Sequence, residues 1–247
     1  MNTQNVESTR TERPHAVVMG GTSGIGLATA QRLHASGMRV TVTGRDAARL
    51  DTARIAIGGD AYATPLDASD ADAVKAFFAH IGPFDHLVLA LGGGKGFGPF
   101  RGLPIDDVLG GFTSKTLPHF ACAQAALGTI RERGSITFVT AVSAQMASPG
   151  TAGLAAVNGA ISCAVPTLAV ELRPLRVNAV SPGVVDTPWW DALPADQRAA
   201  ALAGFAEKAP AGRVGTPDDI AKTLAFLIDN SFMTGQTVIC DGGLSLV

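Results

Sequence analysis

Among its 247 residues the chain has a single tyrosine, Tyr62, and only 16% of its residues are charged. The net charge of −2 and a pI near 6.2 leave no broad basic field to attract nucleic acid or an anionic membrane. So little charge implies that other subunits cover part of the surface, unless small apolar residues alone account for it. Cys122, Cys163 and Cys240 are odd in number, scattered, and show no Cys-x-x-Cys or Cys/His spacing. That pattern argues for a reducing, cytoplasmic setting and against a structural metal, and it reads as three small buried core thiols. No apolar run reaches the ~18–20 residues of a membrane span, so none is expected. Met1–Pro14 is polar with both charge signs, unlike a signal peptide. It reads as a disordered tail ahead of one domain over 15–247.

Glycine, by contrast, is abundant: there are 29, in a chain that is 47% hydrophobic. Short apolar runs alternate with helical stretches, the pattern of βαβ units around a parallel sheet. Strands are expected at Ala16–Met19, Val40–Thr43, Tyr62–Leu66, Leu87–Leu91, Ser135–Ala141, Arg176–Val180 and Thr237–Cys240. Helices are expected at Ile25–Ser36, Ala71–His80, Ile105–Arg131, Thr151–Leu172 and Pro217–Ile228. The strands are apolar without alternation, as buried parallel strands should be. Pro118 and Pro166 each remove a backbone donor and should bend their helices. The fold class is α/β: a doubly wound Rossmann domain with a seven-stranded, mostly parallel sheet and helices on both faces.

Gly20-Gly21-Thr22-Ser23-Gly24-Ile25-Gly26 follows a strand and opens a helix. The helix start offers free N–H groups and a positive dipole end, and glycine lets a pyrophosphate approach the backbone. The second strand runs into Thr43-Gly44-Arg45-Asp46. NAD-preferring sites usually place an acidic side chain here, on the ribose 2′-hydroxyl. Gly44 takes that place, and Arg45 can pair with a 2′-phosphate, so NADP(H) is expected in preference to NAD(H). Asp46 reads as a helix cap.

With these residues the chain resembles the single-domain short-chain dehydrogenases/reductases from Ala16 onward. Gly20, Gly24 and Gly26 match the glycine motif, although its usual preceding threonine is Met19. Leu66-Asp67 matches the strand end that meets adenine. Arg176-Val177-Asn178-Ala179-Val180-Ser181-Pro182-Gly183 with Thr187-Pro188 matches the nicotinamide-side loop. Gly212-Arg213-Val214-Gly215, Asp219-Ile220-Ala221, Thr234-Gly235-Gln236 and Asp241-Gly242-Gly243 match the C-terminal signatures. The resemblance implies that Gly20, Thr22, Ser23, Gly24, Ile25, Gly26, Arg45, Asp67, Gly92, Asn158, Pro182, Gly183 and Thr187 bind the cofactor.

The resemblance also implies an acid–base site of serine, tyrosine, lysine and asparagine, and here the chain departs from it. Counting back from Leu168-Ala169-Val170-Glu171-Leu172 puts the tyrosine position on Leu154 and the lysine position on Asn158. The serine position is Ala141, and the asparagine position falls near Lys115. The usual Asn-Asn-Ala-Gly reads Leu89-Ala90-Leu91-Gly92. Tyr62, near the adenine side, cannot replace the missing acid.

Replacements are nevertheless at hand. Lys115 could, if partly desolvated, act as an acid or bind an oxyanion; otherwise it is a solvated surface charge. His119, one turn on, suits proton transfer or is merely a packing residue. Ser143 could swing into the pocket, and Asn158 could hold ribose hydroxyls. Lys95 lies in Gly92-Gly93-Gly94-Lys95-Gly96-Phe97-Gly98, which reads as a mobile loop. Trp189 and Trp190 suggest an apolar or aromatic wall for a small-molecule substrate, or else lid packing or a subunit contact.

Three readings remain open from the sequence. One is NADP-dependent hydride transfer to an activated electrophile (an iminium, a quinone or an enone) without the tyrosine. Another is a non-catalytic NADP(H)-binding sensor or partner subunit. A lyase or isomerase that keeps the cofactor as a structural element is a third. The small-residue-rich helices over 105–131 and 151–172 imply a homo-oligomer, dimer or tetramer.

Overall fold

The computed structural model describes residues 13–247. The expected tail thus lies outside the described residues except for its last two. One of these, Arg13, donates to the carbonyls of Gly37 and Met38 and pairs with Asp60 at 2.9 Å.

Seven strands form one sheet: β1 (His15–Met19), β2 (Arg39–Gly44), β3 (Tyr62–Pro65), β4 (Phe84–Leu89), β5 (Ile130–Val139), β6 (Arg176–Pro182) and β7 (Thr237–Cys240). Their order is β3-β2-β1-β4-β5-β6-β7, and every pairing is parallel. The order reverses between β1 and β4, so the chain leaves these two strands in opposite directions and opens a crevice at their carboxyl ends.

Helices cover both faces. On one side α3 (Ala71–His80), α5 (Leu117–Ala126) and α6 (Ala152–Glu171) bury Val74, Phe78, Cys122, Ala126, Ile161 and Val165 against Leu87, Leu89, Ile136 and Phe138. On the other, α1 (Gly24–Ala35), α2 (Ala47–Ile57) and α8 (Pro217–Asp229) bury Leu33, Leu50, Ile57, Leu224 and Leu227 against Val18, Val40 and Val42. Arg176 opens β6 from inside the protein. Its guanidinium donates to the carbonyls of Leu227, Ile228, Asn230 and Met233, satisfying the end of α8 that has no further turn to bond with.

Several expectations are corrected. The stretch 105–131 is not one helix. It divides into α4 (Ile105–Gly111), a π-helical turn (Phe112–Thr116) and α5, after which the chain enters β5 at Ile130. Pro118 has no N–H to bond four residues back, and it sits in the first turn of α5 where that loss costs least. Two helices were not read from the sequence: α2 and α7 (Ala195–Lys208). No side chain of α7 is buried, so it carries no apolar stripe to recognise.

Of the cysteines only Cys122 is a buried thiol; Cys163 is exposed and Cys240 half-buried. Contrary to expectation, α6 is long and apolar enough, by length and composition, to cross a membrane, although Asn158, Ser162, Pro166 and Thr167 interrupt its apolar run. A third of that apolar window is buried against the sheet.

Candidate functional site

The crevice begins at the turn after β1. Gly20 adopts φ +79°, and a Cβ there would stand 2.7 Å from the Ala90 carbonyl oxygen beyond β4. A Cβ on Gly26 would meet the Gly20 oxygen at 2.2 Å, so α1 can start this close to β1 only with glycine at both places. Ser23 precedes α1 without capping it through its side chain. The first-turn N–H groups of Gly24, Ile25 and Gly26 are therefore left for an outside acceptor, beside Thr22. Across the crevice Thr187 packs against Gly24: a Cβ on Gly24 would lie 3.3 Å from its methyl. Gly183 donates to the Cys240 carbonyl as the chain leaves Pro182. The loop after β6 therefore faces the glycine turn.

At the end of β2, Gly44 makes room for Thr22, whose methyl would be 2.5 Å from a Cβ. Arg45 is exposed beside it, and Asp46 caps α2 by accepting from the Arg49 N–H at 2.9 Å, as read from the sequence. Asp67 accepts from the N–H and hydroxyl of Ser69. These bonds, together with the nearby Arg45 charge, hold its carboxyl below the usual range.

At the ends of β4 and β5 lie the residues nominated for chemistry. Lys115 sits in the π turn, a distortion frequent at functional sites. Its side chain is buried, and its ammonium donates to the Thr140 carbonyl at 3.2 Å. Burial lowers its pKa to about 8. Among the described residues no carboxylate pairs with it. Next along the chain come Ala141 and then Ser143, which is buried and accepts from the Asn158 amide at 3.3 Å. The same amide nitrogen donates to the Leu154 carbonyl at 2.9 Å, while Oδ1 of Asn158 is buried with no partner. Thr116 ties the π turn to α6 by donating to the Val157 carbonyl at 2.9 Å. Ser143, Asn158 and the carbonyl of the half-buried Leu154 are thus linked by hydrogen bonds, while Lys115 is held by the Thr140 carbonyl three residues before Ser143.

His119 does not belong to it. Its ring is fully buried and stacked on Phe138, with one nitrogen 2.8 Å from the Lys115 carbonyl and the other 3.1 Å from that of Leu89. Burial, reinforced by the Lys115 charge, lowers its pKa to about 3, so it is a neutral core residue facing away from the crevice. Tyr62 lies 59% exposed on the edge strand β3, with β2 and β1 between it and β4.

The loop 92–98 makes several close contacts. Gly96 touches Gly153, where a Cβ would come within 2.4 Å of the Gly96 oxygen, and Gly98 donates to Gly150. Gly92 is exposed with open space around it, and the stem of the exposed Lys95 lies over Gly110. The glycines serve close packing as well as turning. Trp189 donates to the Gly93 carbonyl at 3.2 Å, joining this loop to the segment after β6. Trp190 bonds the Val185 carbonyl and meets Trp189 edge-on at 4.9 Å. The sequence reading missed Thr140, which acts through a backbone carbonyl and so leaves no residue-type signal.

Residues 20–245 match a family model described as enoyl-(acyl carrier protein) reductase. The short-chain reductase protein NovJ of Streptomyces niveus is 34% identical over 92% of this chain and 92% of its own length. A 3-oxoacyl-[acyl-carrier-protein] reductase of Synechocystis is 31% identical over 93% and 96%. A solved structure described as a small-chain dehydrogenase in complex with NADPH superposes with a TM-score of 0.85 at 33% identity, covering 96% of this chain and all of that one. With this sheet order, this glycine turn and these relatives over more than nine-tenths of its length, the chain belongs to the short-chain dehydrogenase/reductase family.

Proposed function

We propose that the protein is an NADP(H)-dependent oxidoreductase that reduces an already activated electrophile without a tyrosine acid. The observation that carries this reading is the buried ammonium of Lys115, held by one backbone carbonyl at the mouth of β5 in a site otherwise stripped of acids. The cradle fits the cofactor, because side chains at Gly20 and Gly26 would fill the space beside the open α1 amides. Thr22, Ser23, Gly24, Ile25 and Gly26 would hold the pyrophosphate, Arg45 the 2′-phosphate, and Asp67 the adenine side. Gly92, Pro182, Gly183 and Thr187 would flank the nicotinamide. The unpartnered Oδ1 of Asn158 is an acceptor suited to a ribose hydroxyl. When bound, NADPH supplies a hydride there.

Lys115 then does what a tyrosine would otherwise do: its ammonium polarises the substrate oxygen and returns a proton to it. Trp189, 46% exposed, offers an aromatic wall for an apolar substrate. Assembly into a dimer or tetramer is supported by Leu109, Leu117 and Val170, all more than half exposed on α4, α5 and α6. A monodisperse monomer by light scattering would contradict it.

A second reading, a non-catalytic NADP(H) sensor or partner subunit, is supported by Leu154, Asn158, Ala141 and Lys115 standing at the four positions where the family resemblance expects tyrosine, lysine, serine and asparagine. Titration with NADPH and NADH, followed by NADPH oxidation with iminium, quinone and enone substrates, separates the two. Tight NADPH binding with turnover supports the enzyme, binding without turnover supports the sensor, and no binding defeats both.

A further inference from the structure

Away from the crevice, one face of the sheet is polar and incompletely covered. Side chains alternate along β2: Val40 and Val42 are buried with Leu33 and Leu50 of α1 and α2, while Arg39 and Thr41 lie on the opposite face. His15 stands beside Arg39 in register there, and Tyr62 beside Thr41. Between this face and α3 runs a groove of about 630 Å³. Arg39, Thr41 and Tyr62 line it on the sheet side, and Phe77 and His80 on the helix side.

His15 sets the hydrogen bonds at the polar end of the groove. Its ring is 3% exposed, and burial, helped by the Arg39 charge, lowers its pKa to about 4, so it is neutral. A guanidinium can only donate; Nδ1 therefore accepts from Arg39 Nη2 at 3.0 Å, and Nε2 carries the proton. That proton goes to Thr41 Oγ1 at 2.9 Å, which leaves the hydroxyl its own proton to give. Arg39 thus meets an uncharged ring, and among the described residues no carboxylate pairs with it. Asp85, the carboxylate whose charge reaches His15, already accepts from the His15 N–H and from Arg131. His80 gives its Nδ1 proton to the Ala76 carbonyl, and no acidic residue lines the groove. A cation and a hydroxyl donor therefore stand at one end, with the carbon surfaces of Tyr62, Phe77 and Leu66 along the rest.

We propose that this groove binds a small aromatic carboxylate, with the carboxylate on Arg39 and the Thr41 hydroxyl and the ring against Tyr62 and Phe77. A planar guanidinium matches a carboxylate and can give it two parallel N–H groups. A cationic ligand would meet the Arg39 charge instead, and an uncharged one would gain nothing from it. The chain's only tyrosine, 59% exposed on the edge strand, gains a role here that core packing does not give it. Arg39 and His15 open β2 and β1, whereas the glycine turn follows the far end of β1, so the carboxylate end lies a strand's length from the cofactor cradle. The site is independent of the reductase reading.

The test is calorimetric titration of the whole chain with 2-naphthoate and with its uncharged counterpart 2-naphthylmethanol, each with and without NADPH. Naphthoate should bind roughly tenfold to a hundredfold more tightly than the alcohol, the gain expected of charge-assisted hydrogen bonds. That preference should vanish in Arg39→Gln, whose amide can still donate to His15. It should persist in Lys75→Met, which removes an exposed cation of α3 outside the groove. Tyr62→Ala should weaken both probes severalfold and Tyr62→Phe neither, because the ring makes the contact. NADPH should leave naphthoate in place. Equal affinity for the two probes, a preference that survives Arg39→Gln, or displacement of naphthoate by NADPH would overturn the inference. Binding of neither probe would also overturn it; if Tyr62→Glu then breaks an oligomer in sedimentation, a second copy of the chain covers this face instead.

Discussion

The two halves of the crevice recognise by different means. From β1 to β3 the surface is made of backbone: glycines that let chain approach chain, and helix N–H groups left without partners. From β4 to β6 the polar groups are side chains: the Lys115 ammonium bonded to the Thr140 carbonyl, and the Ser143 hydroxyl bonded to the Asn158 amide. The glycines of the first half are among those on which the family resemblance rests. Backbone recognition tolerates little change, since a single Cβ at Gly26 would lie 2.2 Å from an oxygen. Side-chain chemistry can be rebuilt one residue at a time without moving the fold. A chain can therefore keep its cofactor cradle while altering what is done beside it.

The sharpest test of that contrast is Lys115→Met, which should act on turnover and stability in opposite directions. Turnover of a quinone or enone should fall by roughly 10²–10⁴, the usual loss when a group that transfers a proton is removed. Stability should rise. The unfolded lysine titrates at its ordinary value of 10.5 and the native one at about 8, so below pH 8 the native state carries a charge it holds poorly. Removing it should stabilise by on the order of 3 kcal/mol, read as a higher midpoint in urea. A variant less stable than the parent would mean that the ammonium is well compensated after all.

Gly26→Val should break the other half, abolishing NADPH binding by roughly a hundredfold or more, about 3 kcal/mol, in a fluorescence titration. A milder effect would show that the loop yields. Arg45→Ala should weaken NADPH roughly tenfold and leave NADH unchanged, the loss of one charge-assisted contact. An equal loss for both cofactors would deny it the 2′-phosphate. Smallest is the effect of Tyr62→Phe, which should alter neither binding nor turnover.

A pH prediction concerns the core rather than the crevice. His86 and His119 titrate near 4 and 3 in the native state because burial opposes their charge, against 6.5 when unfolded. Between pH 6.5 and about 4 the unfolded chain therefore binds protons that the native chain does not, so stability falls as pH falls through that window. The urea midpoint should be level between about pH 7 and 8, rise above that as the buried Lys115 loses its charge, and decline steadily below 6.5. A flat profile down to pH 4.5 would contradict the burial of these rings.

Much of the cradle was legible because its signals are local. A strand, a glycine run and a helix start lie within about ten residues, and Gly20, Gly24 and Gly26 sit where the chain must turn or touch. Asp46 could be read as a cap because capping needs only the next three residues. The other half was legible in part. Lys115, Ser143 and Asn158 were nominated by position; the structure bonds Ser143 to Asn158 and Lys115 to the Thr140 carbonyl. His119 was nominated by its spacing of four from Lys115, yet its ring is fully buried and stacked on Phe138.

By itself, the sequence determined the α/β alternation, the glycine turn, the lack of any tyrosine in the nicotinamide half and the choice of arginine after β2. These depend on residue type and near neighbours. Tertiary structure alone decided that Lys115 is buried without a counter-ion, that its one bond goes to the carbonyl of Thr140, and that the glycine loop over 92–98 is pinned to α6 and Trp189. Those facts depend on desolvation and on backbone groups far apart in the chain. Every residue carries the same carbonyl, so only the fold can say which one a buried ammonium will meet.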